Sequence, residues 1–185
     1  MIQTLAGTER GRVLLAIARQ SLAESFGLQG AAGPAEPWLA EPGATFVTLR
    51  RDGLLRGCVG TLHAYRPLGD DVRANARAAA FSDTRFPPLT RDELAEVSLE
   101  ISLLSTPEPV SVTSEAEAVA VLRPGVDGVI LEYRDSRSTF LPQVWEQLPD
   151  PREFLAHLKH KAGLSPTFWH PELRLWRYTV TKWEE

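Results

Sequence analysis

The run ATFVTLR, residues 44–50, and the run LLRGCVG, residues 54–60, flank the tripeptide Arg51-Asp52-Gly53. Both runs read as strands, and Asp-Gly accepts the positive backbone angles of a tight reversal, so the spacing predicts a β-hairpin. A hairpin pairs its strands antiparallel. The other strand candidates are also clustered: VSLEISLLS (97–105) alternates with Leu99, Ile101 and Leu103 on one face, and VDGVILEY (126–133) and STFL (138–141) surround a polar turn at Asp135-Ser136. LRLWRYTVTKW (173–183) reads as one final strand with Trp176, Tyr178 and Val180 on one side. Single helices separate these clusters, without the regular strand-helix alternation of a parallel sheet. The pattern predicts an α+β fold with a mainly antiparallel sheet and flanking helices.

Thr8 and Glu9 open a segment in which Val13, Leu14, Ile17, Leu22 and Phe26 recur at helical spacing, with Gly27 and Gly30 as stops. Residues 28–44, rich in glycine and proline, read as an irregular connection, either an ordinary loop or a cover over a cleft. Over 68–81, Leu68, Val72, Asn75, Ala76 and Ala79 form one helical stripe, and Asp70 and Asp71 suit the positive N-terminal end. Its alanines permit close approach to a sheet, and Pro87 and Pro88 in the exit segment cannot continue a hydrogen-bonded ladder. Ser114 and Glu117 form a capping box before EAEAVAVL. Pro151 starts a helix that buries Phe154, Leu155, Leu158 and Ala162 and ends at Gly163. In LPQVWEQLP the inward residues are Val144, Trp145 and Leu148. Trp169 and Trp176 read as core or subunit contacts.

A chain of 185 residues buries roughly 70 % of its unfolded surface, enough for a single two-lobed domain over 1–185. The net charge of −4 and the lack of any basic run disfavour nucleic-acid binding. No apolar run approaches the length that spans a bilayer, and no secretory signal opens the chain. The single cysteine cannot form an internal disulfide, which with the missing signal argues for the cytoplasm. It also cannot by itself build an iron–sulfur cluster or a thiolate zinc site, so neither metal nor cofactor is called for.

That cysteine, Cys58, lies in Arg56-Gly57-Cys58-Val59-Gly60. In a regular strand Arg56 and Cys58 share a face, so the guanidinium could lower the thiol pKa or hold an anionic ligand, while Gly57 and Gly60 admit backbone or ligand. The alternative is a small apolar residue packed in a strand. A second cluster, Asn75, Arg77, Asp83, Arg85 and Phe86, either shares that pocket or pairs internally to fix a proline-bound turn. His63 reaches Cys58 as a base only if the chain turns near Leu62. His157 and His160 could share a metal or simply face solvent, and His170 has no assigned role. No nucleophile-elbow, phosphate-loop, dinucleotide or zinc-protease motif occurs.

The blocks FVTLRRDGLLRGCVGTL, ANARAAAFSDTRFPPLTRDEL, LEISLLS, DGVILEY, TFLPQVWEQLP and FLAHLKHKAGL, in this order, resemble the AMMECR family, also called AmmeMemoRadiSam system protein A. The similarity runs over roughly residues 8–182, with LRGC-x-G as its hallmark. It implies a two-lobed α+β fold with the hallmark near a groove. It also implies association with a Memo-like protein and a radical S-adenosylmethionine protein. The family supplies no settled reaction, and two readings stand side by side. One is a cysteine-dependent enzyme or modification subunit, with Cys58 and Arg56 as its catalytic groups and Gly57, Gly60, Asn75, Asp83 and Arg85 shaping the ligand site. The other is a non-catalytic module that docks a peptide, a small molecule or a partner enzyme.

Overall fold

The computed structural model describes residues 3–4, 9–28 and 35–185. The Thr8 start and Gly30 stop expected for the first helix, and residues 29–34 of the expected connection, lie outside the described residues. The described chain divides into two compact units, one comprising Gln3–Leu104 with Thr181–Glu185 and the other Ser105–Val180.

In the first unit a sheet of order β1-β9-β4-β2-β3 is formed by β1 (Gln3–Thr4), β2 (Thr45–Arg51), β3 (Leu54–Gly60), β4 (Val97–Leu104) and β9 (Val180–Glu184). The predicted hairpin is β2-β3. Asp52 and Gly53 both take positive φ, 52° and 75°, which gives the turn the twist its strands need. β2 pairs antiparallel with β3 and β4, and the short β1 runs parallel beside β9. Val47, Leu49, Leu99 and Ile101 turn one sheet face toward α1 (Glu9–Ser25) and α2 (Leu68–Phe81), which supply Val13, Leu14, Ile17, Leu22, Val72 and Ala76 to the same core. In β4, where alternation puts Leu99, Ile101 and Leu103 on one face, Glu100 and Ser102 of the other face are buried too, 7 % and 3 % exposed.

In the second unit the sheet order is β5-β8-β6-β7, from β5 (Glu108–Val110), β6 (Gly128–Tyr133), β7 (Ser136–Phe140) and β8 (Arg174–Tyr178). Its core unites Val129, Leu131 and Leu175 with Ala118 of α3 (Glu115–Val121) and Phe154, Leu155 and Leu158 of α4 (Pro151–Lys161). The Trp145 indole stacks on Phe154 at 3.7 Å and donates to the Asp127 carbonyl. Asp150 caps α4 by accepting from the Arg152 and Glu153 amides, and Ser114 caps α3 by accepting from the Glu117 amide. The Glu117 carboxylate reaches back over the helix start, where the Thr113 and Ser114 amides both act on it. The Thr113 amide donates to it at 2.7 Å.

The C-terminal run departs from the single strand that its alternation predicts. It breaks at Thr179 into β8 and β9, which join different sheets. Alternation records which residues can line a face and carries no signal for which sheet receives them. Trp176 and Tyr178 therefore belong to one sheet and Val180 to the other.

Candidate functional site

The hallmark occupies β3, at the edge of the first unit's sheet, where the register with β2 slips between Leu49 and Arg50. Leu49 faces Gly57 and Arg50 faces Leu55, so Arg56 is an extra residue without a partner on β2. At this bulge the alternation of a regular strand, by which i and i+2 share a face, no longer holds. The Arg56 guanidinium grips Glu93 with two bonds, Nε to Oε1 at 2.9 Å and Nη2 to Oε2 at 3.0 Å. Its third nitrogen donates to the Pro87 carbonyl at 3.0 Å. Arg56 thereby ties β3 to the double-proline segment and to the turn at Asp92–Ala95. Arg56 beside it, and the Thr90 amide and hydroxyl, hold the Glu93 carboxyl at a pKa of about 2. Sequence reasoning missed Glu93, although the signal was present: Thr90 and Glu93 form a reciprocal Thr-x-x-Glu box.

Gly57 has a steric task. A Cβ there would stand 2.1 Å from the Ala79 carbonyl oxygen, so α2 lies directly against the strand backbone. At Gly60 a Cβ would meet the Phe46 ring at 2.3 Å. Both glycines admit protein, as the spacing allowed, rather than opening space.

Cys58 is half-buried and stands opposite Thr48, which in turn stands opposite Glu100. This row crosses the sheet face turned away from α1 and α2, as the inward Val47, Leu49, Leu99 and Ile101 require. Thr48 Oγ1 donates to Cys58 Sγ at 3.3 Å, and the Glu100 carboxylate accepts from Lys182 Nζ at 2.9 Å. Cys58's backbone faces outward from the edge strand and is capped: its N–H donates to Asp83 at 2.9 Å and its carbonyl accepts from Arg85 at 3.4 Å. Asp83 and Arg85 also bond each other, Nη2 to Oδ2 at 2.6 Å. Arg85, with the Cys58 amide, holds the Asp83 carboxyl far below the usual carboxylate range. The pair thus fixes its turn, as one of the two expectations had it, and adds a cap on an exposed sheet edge.

Asn75 belongs to a different cluster. It is 3 % exposed and donates to the Thr45 carbonyl and to Asp71, each at 2.9 Å. Asp71, fully buried, also accepts from the Thr45 amide and hydroxyl, the Thr61 hydroxyl and Arg66 Nε. Its role exceeds the helix-end charge that its position suggested. Arg77 points to Glu24 on α1. His63 is exposed and is not a hydrogen-bond partner of Cys58 among the described residues. His157 and His160 line a cleft with Ala156 and Pro166, and His170 packs near Tyr133 and Phe168. Among the described residues no three His, Cys, Asp or Glu side chains are grouped to hold a metal ion, and no helix is long and apolar enough to cross a membrane.

Fold and site together define an α+β protein of two mainly antiparallel-sheet units, with Arg56 and the Cys58 backbone of the hallmark strand bonded to its own scaffold. The sequence model of the AMMECR1 family matches residues 15–183, and the chain belongs to that family. It is 38 % identical over 184 residues to a protein of Methanothermobacter thermautotrophicus, covering 96 % of this chain and 95 % of the relative. It is 39 % identical over 169 residues to a protein of Saccharolobus islandicus, covering 87 % and 74 %. The crystal structure of an uncharacterized protein from Pyrococcus horikoshii superposes with a TM-score of 0.81 at 31 % identity, over 97 % of this chain and 93 % of that one.

Proposed function

We propose that this chain is a non-catalytic accessory module that acts in the cytoplasm by docking partner proteins. The partners are those the family resemblance implies, a Memo-like protein and a radical S-adenosylmethionine protein. The observation that carries this reading is the use the fold makes of the hallmark: the Arg56 fork is spent on Glu93 and the Pro87 carbonyl, and Asp83 and Arg85 are spent on the Cys58 backbone. A guanidinium already engaged in this way has little capacity left for a substrate anion. The test is co-purification of tagged wild type and Cys58→Ser with both partners. Retention of both by the variant, with normal pathway output, is expected. Loss of output with assembly intact would overturn the reading.

A cysteine-dependent enzyme is the second reading, and what favours it is that the Cys58 sulfur is only half-buried and has a polar partner, the Thr48 hydroxyl that donates to it at 3.3 Å, where a merely packed cysteine would be enclosed by carbon. Alkylation by iodoacetamide across pH separates the two. An accessible sulfur with a rate midpoint well below the ordinary thiol range would favour the enzyme.

A further inference from the structure

In the second unit a cleft of about 400 Å³ is lined by Ser105, Thr106, Glu108, Arg123, Arg177 and Thr179, among others. Arg123 is fixed in place by Asp127, which is fully buried and accepts from the Arg123 amide, Nε and Nη2 at 2.6–3.0 Å. Arg123 Nη1 makes no hydrogen bond among the described residues. Arg177 differs. Its cross-strand neighbour is Glu108, and the two approach only to 3.9 Å, beyond hydrogen-bond reach. The Glu108 side chain is 73 % exposed, so this carboxylate is a loose companion in high dielectric. Arg177 therefore presents an unfilled fork in a cleft that a second, anchored guanidinium also lines, together with Thr106 and Thr179. Two cations facing one weakly held carboxylate form a receptor for an oxyanion, and the guanidinium fork matches carboxylate and phosphate geometry alike. The volume suits a small molecule.

We infer that this cleft is a binding site for a small oxyanion, a carboxylate or a phosphate ester, which displaces Glu108 from Arg177. The site is independent of the hallmark strand and of the proposed docking role. It is tested on the full chain by NMR or calorimetric titration with inorganic phosphate and with succinate at constant ionic strength. Saturable binding is expected, weakened about tenfold by Arg177→Gln, the worth of one charge-assisted contact. Glu108→Gln should tighten it by removing the internal competitor. Arg134→Gln, on the same unit but over the Tyr133 ring, should leave it unchanged. Binding of either probe alone names the ligand class, and binding of both leaves the shared oxyanion as the determinant; each sustains the inference. No saturation in wild type would overturn it. So would unchanged affinity in Arg177→Gln, weaker binding in Glu108→Gln, or an equal loss in Arg134→Gln.

Discussion

Replacing Glu93 by Gln removes a charge and leaves the volume almost unchanged, which tests the electrostatic part of the clasp of Glu93 by Arg56, together with its weaker pairing to Arg51, whose Nη1 donates to it at 3.2 Å. Arg56 and Glu93 are 11 % and 13 % exposed at their side chains, so solvent screens them weakly. The Glu93 pKa is lowered from 4.5 to about 2 in the folded protein. That difference corresponds to about 3 kcal/mol of folding stability at pH 7. Breaking a buried pair by removing one partner falls in the same range, about 3–5 kcal/mol. A carboxyl whose folded pKa is depressed contributes stability above its unfolded pKa, and the contribution fades as pH falls, here from 4.5 toward 2. Glu93→Gln should therefore lose about 3 kcal/mol at pH 7 but only about 2 kcal/mol at pH 3.5, where the unfolded carboxyl is already largely protonated. Urea unfolding of both proteins at several pH values measures this. A pH-independent gap, or a loss under about 1 kcal/mol at pH 7, would refute the claim that the hallmark arginine is a structural clasp.

Two further substitutions probe the packing. Gly57→Ala should cost about 3 kcal/mol in chemical denaturation, the upper range for overpacking, because the new methyl meets the Ala79 carbonyl of a helix that cannot rotate away. Gly163→Ala, with nothing within 4 Å and only a positive φ of 79° against it, should cost about 1 kcal/mol. In the second unit Lys159 is 1 % exposed and its Nζ donates to Glu115 at 2.8 Å, while Glu115 keeps 31 % exposure. Glu115→Leu strands a buried cation and should lose about 3 kcal/mol, whereas Lys159→Met, which leaves a carboxylate water can reach, should lose far less; thermal melts compare them.

The elements themselves were legible in the chain. Asp52-Gly53 specified the hairpin, the 68–81 stripe specified α2, and Pro151 with Gly163 bounded α4, because turn angles, amphipathic period and helix stops are local properties. The candidate site was legible only as a set of residues. Asp83 and Arg85 paired as their spacing allowed, but their bonds to the Cys58 backbone join residues 25 and 27 positions apart. Glu93 lies 37 positions from the arginine it neutralises. Such long-range bonds leave no periodic trace.

What local chemistry determined by itself was the α+β class and the antiparallel hairpin; the family followed from the resemblance of whole sequence blocks. Tertiary structure alone decided that a bulge at Arg56 brings it to Glu93, that the last alternating run divides at Thr179 between two sheets, and that Glu100 is buried although it alternates with the apolar positions. The reason is common to all three. A bulge, a change of sheet and the covering of a face each depend on which distant segments come to lie beside a strand, and the strand's own alternation is the same whichever neighbours it acquires.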